Sequence, residues 1–391
     1  MRARFEGDLD RMVELAKEKK SEEEKLMAVA EAGSRDGEVA QEKPPEKEGP
    51  IDLDTVIRHA LEKAARTQGT DVDVQKRIFG IQKAKQDVMA RLHERLAALD
   101  DPKAEREREP DARAASYREK NGIFRYRNDK GVESSATFAD VVTDLEWGIT
   151  YELDDKTPRL LRKKYEIARA KRELQEMLDA QIMQSETHSV KVDDRKRDTY
   201  ARMAEDKERG LYEQKAGLLA ERMVKNFFAK AALHADMPFD MRHADVFQDV
   251  EEKIDFIIHR KGYRRGVGVD AAELPTDVGF QFSINVDAQE RKAAQVRQAR
   301  RGIDRESPVD DIMLVVMRLG SVNDLKREWE DAGRPAGGPD KRLTREVARE
   351  LFGRVLGGVL TPGEIDGAWG KFKEGFKEAS HPSAPPRKRA A

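Results

Sequence analysis

Residues 253–258 read KIDFII and residues 279–285 read GFQFSIN. Both stretches alternate. In the second, Phe280, Phe282 and Ile284 point one way and Gln281, Ser283 and Asn285 the other, because successive side chains of a strand leave opposite faces. In the first, Ile254, Phe256 and Ile258 share a face, and Asp255 and His259 share the opposite one. Strands are expected over 254–259 and 278–285, and a third over the apolar run DIMLVVM at 311–317. The two polar faces either open onto a cleft or face water at a sheet edge.

The neighbouring segments extend this pattern. GLLAERMVKNFF (217–228) is helical in period and carries Glu221 beside Leu218, Val224 and Phe228, at the border of its apolar face. FDMRHAD follows as an extended segment, and a basic helix is expected over 287–301. The order is helix, three strands, helix, strand. Over roughly 208–320 it resembles the core of the PD-(D/E)XK nuclease superfamily. The KIDFII…GFQFSIN arrangement also resembles a bacterial protein type, which by itself implies no activity.

The nuclease resemblance implies a Mg²⁺ site. Glu221 falls at the family's helix acid, Asp255 at its strand Asp, Gln281 at its second acid and Ser283 at its lysine. Such acids are hard oxygen ligands, the metal activates water, and the lysine orients or deprotonates that water. Here two positions depart from the pattern. Gln281 offers a carbonyl oxygen without charge, and Ser283 cannot act as a cation. Lys253, two residues before Asp255, is the candidate replacement; its ordinary reading is a solvated charge. The expected metal ligands are Glu221, Asp255 and Gln281, with weak Mg²⁺ affinity.

Basic residues crowd the same region. HRKGYRRG (259–266) places Arg260, Lys261, Arg264 and Arg265 around Tyr263, and the helix over 287–301 adds Arg291, Lys292, Arg297, Arg300 and Arg301. This is a candidate phosphate-backbone surface, although Glu251, Glu252, Asp270 and Glu273 dilute it. A chain with 74 Lys and Arg also produces such clusters by chance. FRYR at 124–127 reads either as a base-stacking hairpin or as ordinary hairpin packing.

The chain has 391 residues, with 38% charged and 6% aromatic. It can bury a core over part of its length, and the remainder is expected to be solvated helix or linker. Net charge is −2, so a nucleic-acid surface has to be local. The absence of cysteine excludes disulfides and thiolate metal sites. No apolar stretch approaches the roughly 18 residues of a membrane span, and the N-terminus lacks the apolar region of a secretory signal. A cytoplasmic protein is expected, with no membrane partner. The seven histidines show no zinc spacing, and no Walker A or GxGxxG motif follows a strand.

The fold class expected is α+β and mostly helical: a small mixed-sheet, restriction-endonuclease-like core flanked by long helices and a C-terminal helical hairpin. The organisation expected is a charged helix (1–33), a linker (34–50), a helical segment (51–100), a charged linker (101–115), a small hairpin with long helices (116–205), the nuclease-like core (206–320), a C-terminal helical region (321–379) and a basic tail (380–391). The hairpin is read at 117–133, turning at Asn128–Gly131, with long helices over 157–187 and 191–234. Leu160, Ile167 and Leu174 give the first of these a short coiled-coil-like stripe. Thr361-Pro362-Gly363-Glu364 reads as a helix start.

Three functions follow. The first is a degenerate nuclease-fold protein that binds nucleic acid. The second is a non-catalytic helical scaffold for protein partners. The third is an active metal-dependent nuclease using Lys253.

Overall fold

The alternating strands reappear in the computed structural model, which describes residues 71–101, 109–187, 194–210, 215–261, 275–303, 307 and 309–377, apart from Ala235 and Phe247. The first half runs α1 (Asp71–Asp100), β1 (Arg113–Arg118), β2 (Ile123–Arg127), β3 (Glu133–Ala136), α2 (Phe138–Thr143), β4 (Tyr151–Leu153), α3 (Arg159–Thr187) and α4 (Asp194–Glu208). The second runs α5 (Ala216–Ala232), β5 (Phe239–His243), β6 (Phe256–Arg260), β7 (Asp277–Ser283), α6 (Gln289–Arg300), β8 (Asp311–Val316), α7 (Val322–Asp331), α8 (Arg345–Leu356) and α9 (Pro362–Lys377). Over the described residues the chain is mixed α+β with two four-stranded mixed sheets.

The first sheet has the order β3-β2-β1-β4, with β1 and β4 parallel and the other pairs antiparallel. Asn128 makes its second turn: Oδ1 accepts from the backbone N–H of Lys130 and of Val132, each at 3.0 Å. Thr137 and Asp140 then form a reciprocal capping box that starts α2. The second sheet has the order β5-β6-β7-β8, antiparallel except for the parallel pair β7–β8, which α6 connects.

One apolar core serves both sheets. Phe228 of α5 stacks on Phe256 of β6, Phe256 stacks on Phe280 of β7, and Phe227 and Phe228 meet Phe352 of α8. Phe124, Tyr126, Trp147 and Tyr151 of the first half belong to the same cluster. The other face of the second sheet is covered by α6, where Val296 packs with Ile257 and Ile312. Separately, Ala170, Leu174 and Leu178 of α3 close against Ile81, Val88 and Leu92 of α1.

The loop Arg334–Leu343 stitches these layers. Gly337 and Gly338 hold φ of 97° and 77°, and a Cβ on Gly338 would run into Trp147 and Asn226, so glycine is required twice over. Gly337 N–H donates to Asp144 Oδ1 at 2.7 Å, and Ala336 N–H donates to the Tyr126 hydroxyl at 2.6 Å. Asn226 Nδ2 donates to Asp340 Oδ1 at 2.7 Å, and Lys230 is ion-paired with the same carboxylate.

Several expectations need correction. The helix expected over 191–234 is two: α4 ends at Glu208 and Gly210 turns the chain with φ of 66°. The hairpin expected at 117–133 is three strands, because a further turn at Glu119–Gly122 precedes the expected one. The charged linker expected to 115 ends sooner, since β1 begins at Arg113. Leu160 is 63% exposed and does not join the α1–α3 stripe. Ile254 does not share a face with Phe256 and Ile258; it packs with Ile257 on the α6 side, against Gly279, where a Cβ would collide with it. Residues 4–32, 34–50, 51–66 and 380–391 lie outside the described residues.

Candidate functional site

β6 and β7 are antiparallel, so the start of one and the end of the other share one end of the sheet. Phe256 pairs with Phe280, which brings Asp255 opposite Gln281. Two hydrogen bonds fix Asp255 there: its N–H donates to Phe280 O at 2.7 Å, and Phe282 N–H donates to its Oδ2 at 2.7 Å. Asp255 is 4% exposed and Gln281 6%. Gln281 Oε1 is buried with no hydrogen-bond partner, which in a packed interior costs about 1–3 kcal/mol.

The second turn of α5 brings Glu221 to the same place. Lys225, one turn on, holds Glu221 Oε1 at 2.6 Å; the two side chains are 15% and 18% exposed. Asp249 joins from a π-helical turn, Gln248–Glu252, just before β6. These groups act on one another. Burial pushes the Asp255 carboxyl well above the usual range, and the charges of Glu221 and Asp249 push it further, with Lys225 opposing. Asp249 is raised by burial and by Glu221, against the pull of Lys225, Lys253 and Lys292. Burial works against the charge of Lys225, but Glu221 and Asp255 outweigh it and hold its pKa above the ordinary value.

The sequence-predicted site residues divide. Glu221 and Asp255 are electrostatically coupled, and Gln281 lies across from Asp255. Ser283 is beside them on β7, but it is buried and its Oγ accepts from Asn285 N–H at 3.2 Å. The polar faces expected to open outward are therefore covered: β7 is an interior strand with its residues from Val278 to Ser283 buried. Lys253 departs from expectation. It sits at φ 60° outside the strand, and its Nζ donates to Val250 O. It contributes to a neighbouring cavity of about 610 Å³ whose lining includes Lys196, Glu251, Ile254, Gln295 and Ile312; Glu221, Asp255 and Gln281 do not line it.

The basic surface is also redistributed. Arg260 is buried, its Nη2 donating to both oxygens of Glu364 at 3.0 Å, so it is not a phosphate contact. Lys261 pairs with Asp240 at 3.0 Å. Arg264 and Arg265 lie outside the described residues. Arg291, Arg297 and Arg301 are exposed on and beside α6, and Arg300 pairs with Asp311. In FRYR, Phe124 and Tyr126 are core residues, so no ring is offered to a base.

Asp255, Glu221 and Gln281 carry oxygen atoms of the kind a hard cation takes. Among the described residues no three His, Cys, Asp or Glu side chains group closely enough to hold a metal ion; this donor set is two carboxylates and one amide oxygen. Sequence reasoning missed Lys225, Asp249, and a flanking pair, His243 and Glu146. Only Lys225 left a signal, its spacing of four from Glu221 on a helix. Among the described residues no helix is long and apolar enough to cross a membrane. Comparison with protein families, with curated proteins and with solved structures finds no match.

Proposed function

We propose that the chain is a nuclease-fold protein of the PD-(D/E)XK kind, acting on phosphodiesters with a divalent cation, and that Lys225 takes the place of the lysine missing at Ser283. The observation that carries this reading is the convergence of Glu221, Asp255, Asp249 and Lys225 at the sheet end where Gln281 holds a buried carbonyl oxygen without a partner.

The donor types, two carboxylates and one amide oxygen, are those a small hard cation takes. Magnesium is usually held by one or two carboxylates, with water and substrate phosphate completing its shell. Asp255 keeps Oδ1 free of the Phe282 bond, Glu221 keeps Oε2 free of the Lys225 pair, and Gln281 adds an oxygen. A cation bound there would relieve the mutual repulsion of the acids and would supply Lewis-acid stabilisation of charge on the phosphate. Lys225 sets the position of Glu221 and adds positive charge beside Asp255. Arg291, Arg297 and Arg301 extend the positive surface along α6, as backbone contacts require.

The test is hydrolysis of bis(p-nitrophenyl) phosphate and of labelled single- and double-stranded oligonucleotides with Mg²⁺ or Mn²⁺. Slow turnover lost in Asp255→Asn and in Lys225→Met supports the reading. No turnover, together with no nucleic-acid binding at low salt, overturns it and favours a scaffold for protein partners.

A further inference from the structure

We propose that His243 is the proton acceptor of this site and that Glu146 positions it, an inference that rests on the phosphodiester reading. His243 ends β5 and pairs with Phe256, the residue after Asp255, so its backbone is one strand away from the acid cluster. Its Nε2 lies 3.6 Å from Glu146 Oε1, and its side chain is 33% exposed where that of Glu146 is 15% exposed. Glu146 belongs to the turn after α2 and is itself fixed by Arg172 of α3, whose Nη1 donates to Oε2 at 2.9 Å. The carboxylate therefore has one oxygen committed to Arg172 and the other turned to the imidazole. It favours the tautomer with the proton on Nε2, which leaves the lone pair on Nδ1.

The charged surroundings keep the ring neutral. Burial lowers the His243 pKa, Lys225 and Arg172 lower it further, and Glu146 opposes them. Lys225 is thus the neighbour of both His243 and Asp255, which ties the pair to the cluster. A neutral imidazole backed by a carboxylate is the arrangement of a general base held by an orienting group. In the step proposed, the O–H bond of a water breaks and its proton goes to Nδ1. The oxygen forms the new bond to phosphorus. The bond from phosphorus to the leaving sugar oxygen breaks, its electron pair stays on that oxygen, and the oxygen takes a proton from solvent. The imidazolium then returns its proton to water.

The experiment follows turnover of bis(p-nitrophenyl) phosphate and of a labelled oligonucleotide with Mn²⁺, comparing the wild-type chain with His243→Ala, His243→Gln and Glu146→Gln. Expected is a loss of about 100-fold in kcat for His243→Ala, with KM little changed, and recovery of part of it by added imidazole. Glu146→Gln should lose less and gain nothing from imidazole. His243→Gln serves if the alanine variant does not fold, and its melting temperature is compared with that of the wild type. Turnover unchanged by either substitution at His243, or lost and not recovered by imidazole, overturns the proposal. Wild-type turnover that vanishes in Asp255→Asn but persists in His243→Ala overturns this inference alone; no wild-type turnover overturns the phosphodiester reading and this inference with it.

Discussion

Lys225 stands one helical turn beyond Glu221, with its Nζ 2.6 Å from Glu221 Oε1, and it is the cation closest in effect to Asp255. Lys225 therefore bears on three buried or half-buried acids, Glu221, Asp249 and Asp255, and Lys253 and Lys292 add to it only at Asp249. The remaining carboxyls respond by holding protons more tightly. Removing the cation should be costly. Lys225→Met is expected to destabilise the chain by about 3 kcal/mol, since it strands a buried carboxylate. The loss should be larger at pH 8 than at pH 5, where Asp249 and Asp255, both raised, hold their protons more fully. Urea melts at the two pH values check this.

Asp255→Asn should behave in the opposite way. The amide oxygen can still accept the Phe282 N–H, and the substitution removes a charge that burial disfavours. The folded state binds this proton more tightly than the unfolded chain does, so stability falls as pH rises above the unfolded value of about 3.9. The variant should therefore melt higher than the wild type at pH 8 and gain little at pH 4. Millimolar Mn²⁺ should raise the melting temperature of the wild type and leave that of the variant unchanged. A rise that survives the substitution would move the cation elsewhere.

Asp144 gives a second, separate pH effect. It is fully buried, it accepts from the Tyr151 hydroxyl at 2.6 Å and from Gly337 N–H at 2.7 Å, and burial pushes its pKa up to about 7. Between the unfolded value and about 7 the folded state holds the extra proton, so stability declines with rising pH by at most about 1.4 kcal/mol per unit. Asp144→Asn should flatten this part of the pH profile of the melting temperature.

The loop Arg334–Leu343 is tested through Asp340, whose carboxylate pairs with Lys230 and accepts from Asn226 Nδ2. Asp340→Ala leaves a lysine with 6% side-chain exposure without its counter-charge, at an expected cost of about 3–5 kcal/mol. Replacing both partners, Asp340→Leu with Lys230→Met, should recover part of that loss. Chemical denaturation of the single and double variants measures it.

The second sheet was legible because alternation has one period and β7 obeys it from Phe280 to Ser283. What covers each face was not legible. Alternation says that Gln281 and Ser283 point away from Phe280; it does not say that neighbouring strands and packed helices bury both sides. Lys253 looked equivalent to a strand residue in sequence, and its positive φ removes it from the strand. Lys225 was readable from its spacing to Glu221. His243 and Glu146 are 97 residues apart, and α5, which packs against both α2 and β5, brings their surroundings together. Likewise Arg260 reads as a surface cation beside Lys261 until Glu364 of α9 closes over it.

The candidate nucleic-acid surface left by these corrections is narrower than HRKGYRRG suggested, and it gives the last prediction. Arg260 is committed to Glu364 and Lys261 to Asp240, so among the described residues of this patch the exposed charge lies with Arg291, Arg297 and Arg301 on the α6 side. Phosphate contacts release counterions, and each contributes about 0.9 to the slope of log affinity against log salt on duplex DNA. Arg297→Glu with Arg301→Glu should weaken binding to duplexes of unrelated sequence alike and reduce that slope by about 2, because such contacts carry no sequence information. Lys261→Glu, by contrast, should leave the slope nearly unchanged, since that ammonium is already satisfied by Asp240. Fluorescence anisotropy over a range of salt concentrations measures both. A slope unchanged in the double variant would mean that the α6 surface does not touch the backbone, and the duplex would then have to approach from another face of the chain.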